Sequence, residues 1–144
     1  MIIVADASVL VGEMLRRRGR ELLTHPDLRV VVAEDQWSET RHELPRRLDA
    51  MVDQQRITRH QADSLGSAAE LLFRSRSIDV VPRHIYEANK ETARRRVPRD
   101  PNDWAPVALA IALHAGILTG DNDFLGCGCP TWTVDTLRAE LGLG

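Results

Sequence analysis

The residues of this chain best suited to chemistry are carboxylates placed beside apolar segments. Asp6 directly follows Ile2-Ile3-Val4-Ala5. Asp100 and Asp103 lie in RDPNDW, just before one apolar stretch, and Asp121 and Asp123 lie in LTGDNDF, just after another. Taken singly, each has an ordinary reading, because aspartate is favoured at helix N-caps and in turns. Converging acids are different. Two carboxylates about 4 Å apart repel by roughly 4 kcal/mol at an effective dielectric near 20. A helix N-terminus returns only about 0.3–1 kcal/mol per charge. Three or four such groups at one place need protons or a divalent cation. Hard oxygen ligands suit Mg²⁺ or Mn²⁺. A bound cation of this kind acidifies water and stabilises a pentavalent phosphate, so the reaction class is phosphodiester hydrolysis without a covalent intermediate.

Convergence depends on the elements between the acids. Asp103 is a candidate helix N-cap, and Pro106 falls in the first turn, where a missing N–H costs little. Every residue from Ala105 to Leu113 is apolar, the pattern of a buried helix. Gly116, after His114 and Ala115, suits a C-terminal stop. Ile117-Leu118-Thr119 reads as a strand and Gly120 to Asp123 as a turn. With parallel strands on either side, the helix starts at the edge where strands end, and the next strand climbs back to it. Asp6, Asp100, Asp103, Asp121 and Asp123 then share the edge at which open α/β sheets bind ligands.

The remaining segments fit that plan. Ile2 to Ala5 is a buried strand, and Ser8 is a candidate cap for a helix carrying Val9, Leu10, Met14 and Leu15, with Leu22 and Leu23 beyond. Val30 to Ala33 is a second strand. A helix bearing Trp37, Leu44, Leu48, Met51 and Val52 follows, with Pro45 predicting a kink or two short helices. Thr58 is a candidate cap for a helix with Ala62, Leu65, Ala69 and Leu72. This helix pair is longer than one crossover needs, which suggests a projecting hairpin or a dimer surface. Ile78 to Val81 is a third strand, ended by Pro82, and Ile85 to Arg96 reads as one helix. Thr131 to Val134 is an edge-like fifth strand, with Asp135 as the cap of a last helix through Leu141. Alternating strands and helices predict a central, mainly parallel five-stranded sheet covered on both faces.

At 144 residues, the chain has the length of a single domain spanning 1–144. Its apolar content of 43% and charged content of 28% are those of a folded globule and not of a disordered tract. No apolar run reaches the length of a membrane span, and MIIVAD is too short for a signal peptide. Cys127 and Cys129 are badly spaced for a disulfide and too few for zinc; they read as reduced thiols, as expected of a cytoplasmic chain. The net charge of −2 offers no broad case for nucleic acid. Lys90 is the sole lysine, however, beside eighteen arginines, several of them clustered: Arg16, Arg17, Arg18 and Arg20, then Arg94, Arg95, Arg96 and Arg99. Arginines near a metal-bearing acidic edge would contact nucleic-acid phosphates; a solvated helix surface is the other reading. The three tryptophans read as packing residues, the histidines show no metal spacing, and GCGCP is no phosphate loop.

Asp6 after MIIVA, RDPNDW before an apolar helix, and LTGDNDF together resemble the PIN-domain nuclease family. The closing GCGCPTWTVDTL is similar to bacterial members close to the VapC ribonuclease toxins. The resemblance runs end to end, with its specificity in the acidic motifs. It implies a three-layer α/β/α sandwich and an Mg²⁺- or Mn²⁺-dependent endoribonuclease that is the toxin of a type II toxin–antitoxin pair. It also implies a homodimer and a small antitoxin protein that occludes the site. By this resemblance Asp6, Asp103 and Asp121 are acidic ligands, Thr119 orients a water or ligand, and Asp123 is an additional acid. Asp100 would assist or replace Asp103. The family's fourth acid matches Glu39, although on a continuous helix Glu39 faces away from Trp37, Leu44 and Leu48, and Glu34, Asp35 and Glu43 lie near. Arg16, Arg17, Arg18, Arg96 and Arg99 are the candidate RNA contacts.

Two other metal-binding designs fit less well. A signalling receiver domain looks for a lysine after its last strand, and Lys90 is not there. A phosphatase with an aspartate nucleophile needs two aspartates one residue apart after the first strand, where this chain has Asp6-Ala7-Ser8. A catalytically weak PIN fold acting as an RNA- or protein-binding module is the alternative, and it turns on whether Glu39 reaches the site.

Overall fold

Three of the strands are runs of aliphatic residues with no polar alternation, which only burial on both faces explains. The computed structural model describes residues 1–100 and 102–144; Pro101, inside the predicted acidic turn, lies outside them. The strands are β1 (Ile2–Ala5), β2 (Arg29–Ala33), β3 (Ile78–Val81), β4 (Gly116–Leu118) and β5 (Thr131–Trp132). They form one five-stranded sheet in the order β3-β2-β1-β4-β5, with every pairing parallel. The order reverses direction between β1 and β4, and the crevice at such a switch point lies beyond the carboxyl ends of those two strands.

Period-two alternation sends side chains to two cores. Ile3, Ala5, Val30, Val32 and Leu118 face one side, while Val4, Val31, Ala33 and Ile117 face the other. The first side is covered by α1 (Ala7–Met14), α2 (Arg17–Leu23), α3 (Glu34–Asp53), α4 (Arg59–Arg74) and α8 (Val134–Glu140). The second is covered by α5 (Arg83–Tyr86), α6 (Lys90–Arg96) and α7 (Trp104–Leu113). The result is the expected three-layer α/β/α sandwich. The apolar helix α7 is buried from Trp104 to Ala110, pressed between β1, β2 and β4 on one side and α5 and α6 on the other.

Several local expectations change. Asp6, not Ser8, occupies the N-cap position of α1. Pro45 does not divide α3, which continues through it. Pro45 is exposed, so the carbonyl it leaves without an N–H partner lies on the solvent side, where water can satisfy it. The predicted helix from Ile85 to Arg96 is instead α5, a 3-10 turn at Glu87–Asn89, and α6. At that break Asn89 Nδ2 donates to the Ala108 carbonyl of α7, 3.5 Å away, a tertiary bond competing with local helix.

His114, not Gly116, ends α7 by adopting the left-handed region at φ 52°. Gly116 lies in β4 because a β-carbon there would stand 2.9 Å from the Trp132 indole nitrogen. β5 stops at Trp132, two residues early, because Thr133 caps α8: its hydroxyl accepts from Thr136 N–H at 3.1 Å, in place of the predicted Asp135 cap. Thr58 caps α4 through a box with Gln61, as its sequence predicts. The α3–α4 pair packs back onto the sheet through Leu44, Leu48, Ala62, Ala69 and Leu72 and does not project freely.

Candidate metal centre

Asp6 follows β1 and Thr119 follows β4, so the parallel pairing that aligns Ala5 with Leu118 sets these two side by side at the switch point. Both are buried. The Thr119 hydroxyl donates to Asp6 Oδ2 at 3.1 Å and accepts from the Asp121 N–H at 2.9 Å. Asp121 Oδ1 in turn accepts from the Asp123 N–H at 2.8 Å, closing an Asx turn ahead of a 3-10 turn at Asn122–Phe124. One hydroxyl thus ties the end of β1 to the loop after β4.

The helix α7 supplies the next acid. Asp103 occupies its N-cap position but its carboxylate makes no capping bond, against the simplest reading of the sequence. Its Oδ2 is buried and has no hydrogen-bond partner. Oxygens of Asp103, Asp121 and Asp123 lie within 4.8 Å of one another, and they form the one such group of three among the described residues. Burial, with the charges of Asp100, Asp121, Asp6 and Asp123 adding to it, pushes the Asp103 carboxyl up from 3.8 to about 7. Burial also raises Asp6, against the bond from Thr119. An acid that resists ionising beside four others, with an oxygen that nothing satisfies, fits a divalent cation. The donors are all carboxylate oxygens, the set hard cations take.

Asp100 closes the preceding turn: its Oδ1 accepts from Asn102 N–H at 2.9 Å, and its carbonyl accepts from Asp103 N–H at 3.1 Å. Its charge bears on both Asp103 and Glu39. Glu39 is exposed and flanks the buried stripe Gln36, Thr40, Leu44 and Leu48 of α3. Its carboxyl is raised by burial, then by Asp6, Asp100 and Glu43, which puts it on the acidic side of the molecule. Glu34 and Asp35 are engaged elsewhere: Glu34 Oε2 accepts from Arg83 N–H at 2.9 Å, and Asp35 pairs with the Arg83 side chain at 3.8 Å.

Gln36 is the residue that sequence reasoning missed. It is buried, its Oε1 accepts from Ala7 N–H at 2.7 Å, and its Nε2 donates to Glu39 Oε2 at 3.4 Å. It satisfies the Ala7 N–H in the first turn of α1 and steers Glu39. Its signal was a polar residue four positions before Thr40 on the stripe that continues to Leu44 and Leu48.

The arginines divide. Arg99 pairs with Asp123 at 3.3 Å, and Arg96 donates to the Cys127 carbonyl at 3.3 Å, so both border the acidic loops. Arg16 pairs with Glu13 at 3.6 Å, past the C-terminal end of α1, the helix whose first turn follows Asp6. Arg17 opens α2, and Arg18 reaches the Gly144 carbonyl at 3.3 Å, beyond Arg16 and further from the acids.

Solved structures share this fold. The chain is similar to PAE2754 from Pyrobaculum aerophilum at a TM-score of 0.69 and 15% identity, covering 100% of this chain and 91% of that one. It is similar to VapBC2 from Rickettsia felis, solved bound to a DNA fragment from its promoter, at 0.59 and 14%, over 92% of this chain and 98% of that one. A toxin–antitoxin complex from Klebsiella pneumoniae matches at 0.58 and 14%, over 92% and 97%. No curated protein sequence matches. The sequence profile of the PIN domain matches residues 4–142, which is nearly the whole length. The chain belongs to the PIN-domain family.

Proposed function

We propose that this PIN domain is an Mg²⁺- or Mn²⁺-dependent endoribonuclease that hydrolyses RNA phosphodiester bonds. The observation that carries the reading is Asp103: a buried carboxylate oxygen without a partner, within 4.8 Å of oxygens from Asp121 and Asp123. In this reading Asp103 and Asp121 hold the cation, with Asp6 completing the set from β1 and Asp123 and Asp100 at its margin. Bound there, the cation would supply positive charge that acidifies water and offsets the charge gathering on a phosphodiester. Thr119 keeps Asp6 and the Asp121 backbone in register. Glu39, held by Gln36, would take a proton at the rim. Arg96 and Arg99 would meet phosphates beside the acidic loops.

The toxin role, with a small antitoxin protein as partner, is the reading that the likeness to VapBC2 and to the Klebsiella complex supports; a homodimeric assembly is part of the proposal and rests on the sequence resemblance alone. A cytoplasmic setting goes with it; no helix among the described residues is long and apolar enough to cross a membrane.

The test is cleavage of a mixed pool of structured and single-stranded RNAs by the purified chain in Mg²⁺, Mn²⁺ or EDTA, beside D121N. Cutting that needs the metal and fails in D121N is the expected result. If nothing is cut while Mn²⁺ raises the melting temperature of the wild type alone, the ribonuclease reading gives way to a metal-bearing binding module.

A further inference from the structure

Two cavities meet at one arginine. The first, of about 180 Å³, is lined by Ala7 and Ser8, the two residues that follow Asp6, and by Glu39, Glu43 and Arg47. The second, of about 410 Å³, continues between α1 and α3, where Gly12 and Leu15 face Arg47, Met51 and Arg56, with Arg16 beside them. Arg47 lines both. Its guanidinium lies over α1 at Gly12, where even a β-carbon would come within 3.5 Å of Nη1.

Charge changes along this groove. The end lined by Ala7 and Ser8 carries Glu39 and Glu43. The second cavity is lined by three arginines, Arg47 at the neck and Arg16 and Arg56 beyond it, and by no carboxylate. Among the described residues Arg47 and Arg56 have no carboxylate within 4.0 Å, and Arg16 has only the i−3 pair with Glu13, its own side chain 73% exposed. A groove that starts at an acidic end and runs into a cluster of guanidinium groups suits a ligand with a negative charge at every repeat. Leu15 and Met51 give it an apolar floor for sugars or bases. An isolated anion would not need this length, about 9 Å along α1 from Ser8 to Met14, with Leu15 and Arg16 beyond the end of that helix.

We propose that the α1–α3 groove holds the RNA backbone on one side of the scissile bond, with Arg47 at its neck and Arg56 and Arg16 at its far end as phosphate contacts. The proposal rests on the ribonuclease reading above and adds the path of the strand. Arg47 and Arg56 are positioning residues: they fix where the backbone lies, and a phosphate beyond them falls at the acidic edge.

The experiment is fluorescence anisotropy of a labelled, unstructured RNA oligonucleotide with the wild type, R47Q/R56Q and R47K/R56K in EDTA, across a salt series. Each phosphate contact on a single strand contributes about 0.7 to the slope of log K against log salt, so R47Q/R56Q should lose about 1.4. Its affinity should fall at least about tenfold, and R47K/R56K should recover most of it as a point-charge contact. The Mn²⁺-induced rise in melting temperature should be the same in all three proteins, which shows that fold and acidic edge are intact.

R47Q/R56Q binding as tightly as the wild type, with the same slope, overturns the groove and leaves the nuclease reading standing if the wild type still cuts. A wild type that neither binds nor cuts RNA overturns both. Displacement of the RNA by poly-glutamate at equal charge concentration, lost in R47Q/R56Q, would assign the groove to an acidic protein segment and overturn the RNA path.

Discussion

Replacing Asp103 with asparagine should make the metal-free protein more stable at alkaline pH and remove most of its response to metal. The Asp103 carboxyl is raised to about 7 from 3.8. A carboxyl raised on folding keeps its proton longer in the native state. Between these two values the native chain holds more protons than the unfolded one, so stability falls as pH rises through the window and is flat above it. The full linkage for such a shift is about 4 kcal/mol at 1.36 kcal/mol per pH unit. Roughly 2.5 kcal/mol of that lies between pH 5 and pH 8. Solvent screens a half-buried group, so about 1 kcal/mol is the expected size.

Asparagine keeps the shape and has no charge to lose. In EDTA, the melting temperature of D103N relative to wild type should therefore gain roughly 3–4 °C between pH 5 and pH 8. Adding Mn²⁺ at pH 8 should reverse the order, because the wild type gains binding energy and the variant does not. A D103N protein that is less stable than wild type at pH 8 in EDTA, by the same margin as at pH 5, would show Asp103 to be a structural acceptor and refute the reasoning.

Three further outcomes follow from single contacts. Thr119→Val removes the donor to Asp6 and the acceptor for Asp121 N–H, so it should cost about 1–3 kcal/mol in urea unfolding and slow RNA cleavage, while Thr119→Ser restores both. Gln36→Leu leaves Ala7 N–H unpaired and Glu39 unsteered; the expected loss is about 1–3 kcal/mol, with a drop in cleavage rate that a purely structural glutamine would not cause beyond the unfolded fraction. Gly116→Ala drives a β-carbon to 2.9 Å from the Trp132 indole and should cost about 1–3 kcal/mol, visible as a lower melting temperature and a changed Trp132 environment in near-UV circular dichroism.

What could be read in the sequence was what periodicity and adjacency carry. Uninterrupted aliphatic runs gave away the buried parallel strands, and the length of the apolar helix forced Asp103 back to the edge where Asp121 emerges. The misreadings share one physical source: a local rule that a distant residue overrode. Gly116 looked like a helix stop because glycine is the usual choice there, but the demand came from Trp132, sixteen positions on. Asp135 looked like a cap until Thr133 and Thr136 formed a reciprocal box with the cap two residues earlier. The helix expected from Ile85 to Arg96 gave way at a bond from Asn89 to α7. Gln36 stayed invisible because nothing in the sequence near it names Ala7 as its partner. Arg47 was hidden in the same way, since its position relative to α1 exists only after α1 and α3 pack.

The acids of the edge are not equivalent before any cation arrives. Asp6 accepts from Thr119, Asp121 accepts from Asp123 N–H, Asp123 pairs with Arg99, and Asp100 accepts from Asn102 N–H. Each of these carboxylates has an oxygen engaged by the protein itself, so its orientation is set at no cost to later binding. Asp103 has no hydrogen bond to its side chain, and its Oδ2 is the one carboxylate oxygen among the described residues that is both buried and unpaired. The desolvation it suffers therefore stays uncompensated in the free protein and is relieved only by a proton or a cation. That asymmetry makes Asp103 the residue at which cation binding and proton binding compete, with the others as a pre-set frame around it. Metal affinity should accordingly rise with pH up to about 7, where Asp103 ionises, and level off above it, a profile that isothermal titration with Mn²⁺ would record and that D103N should flatten.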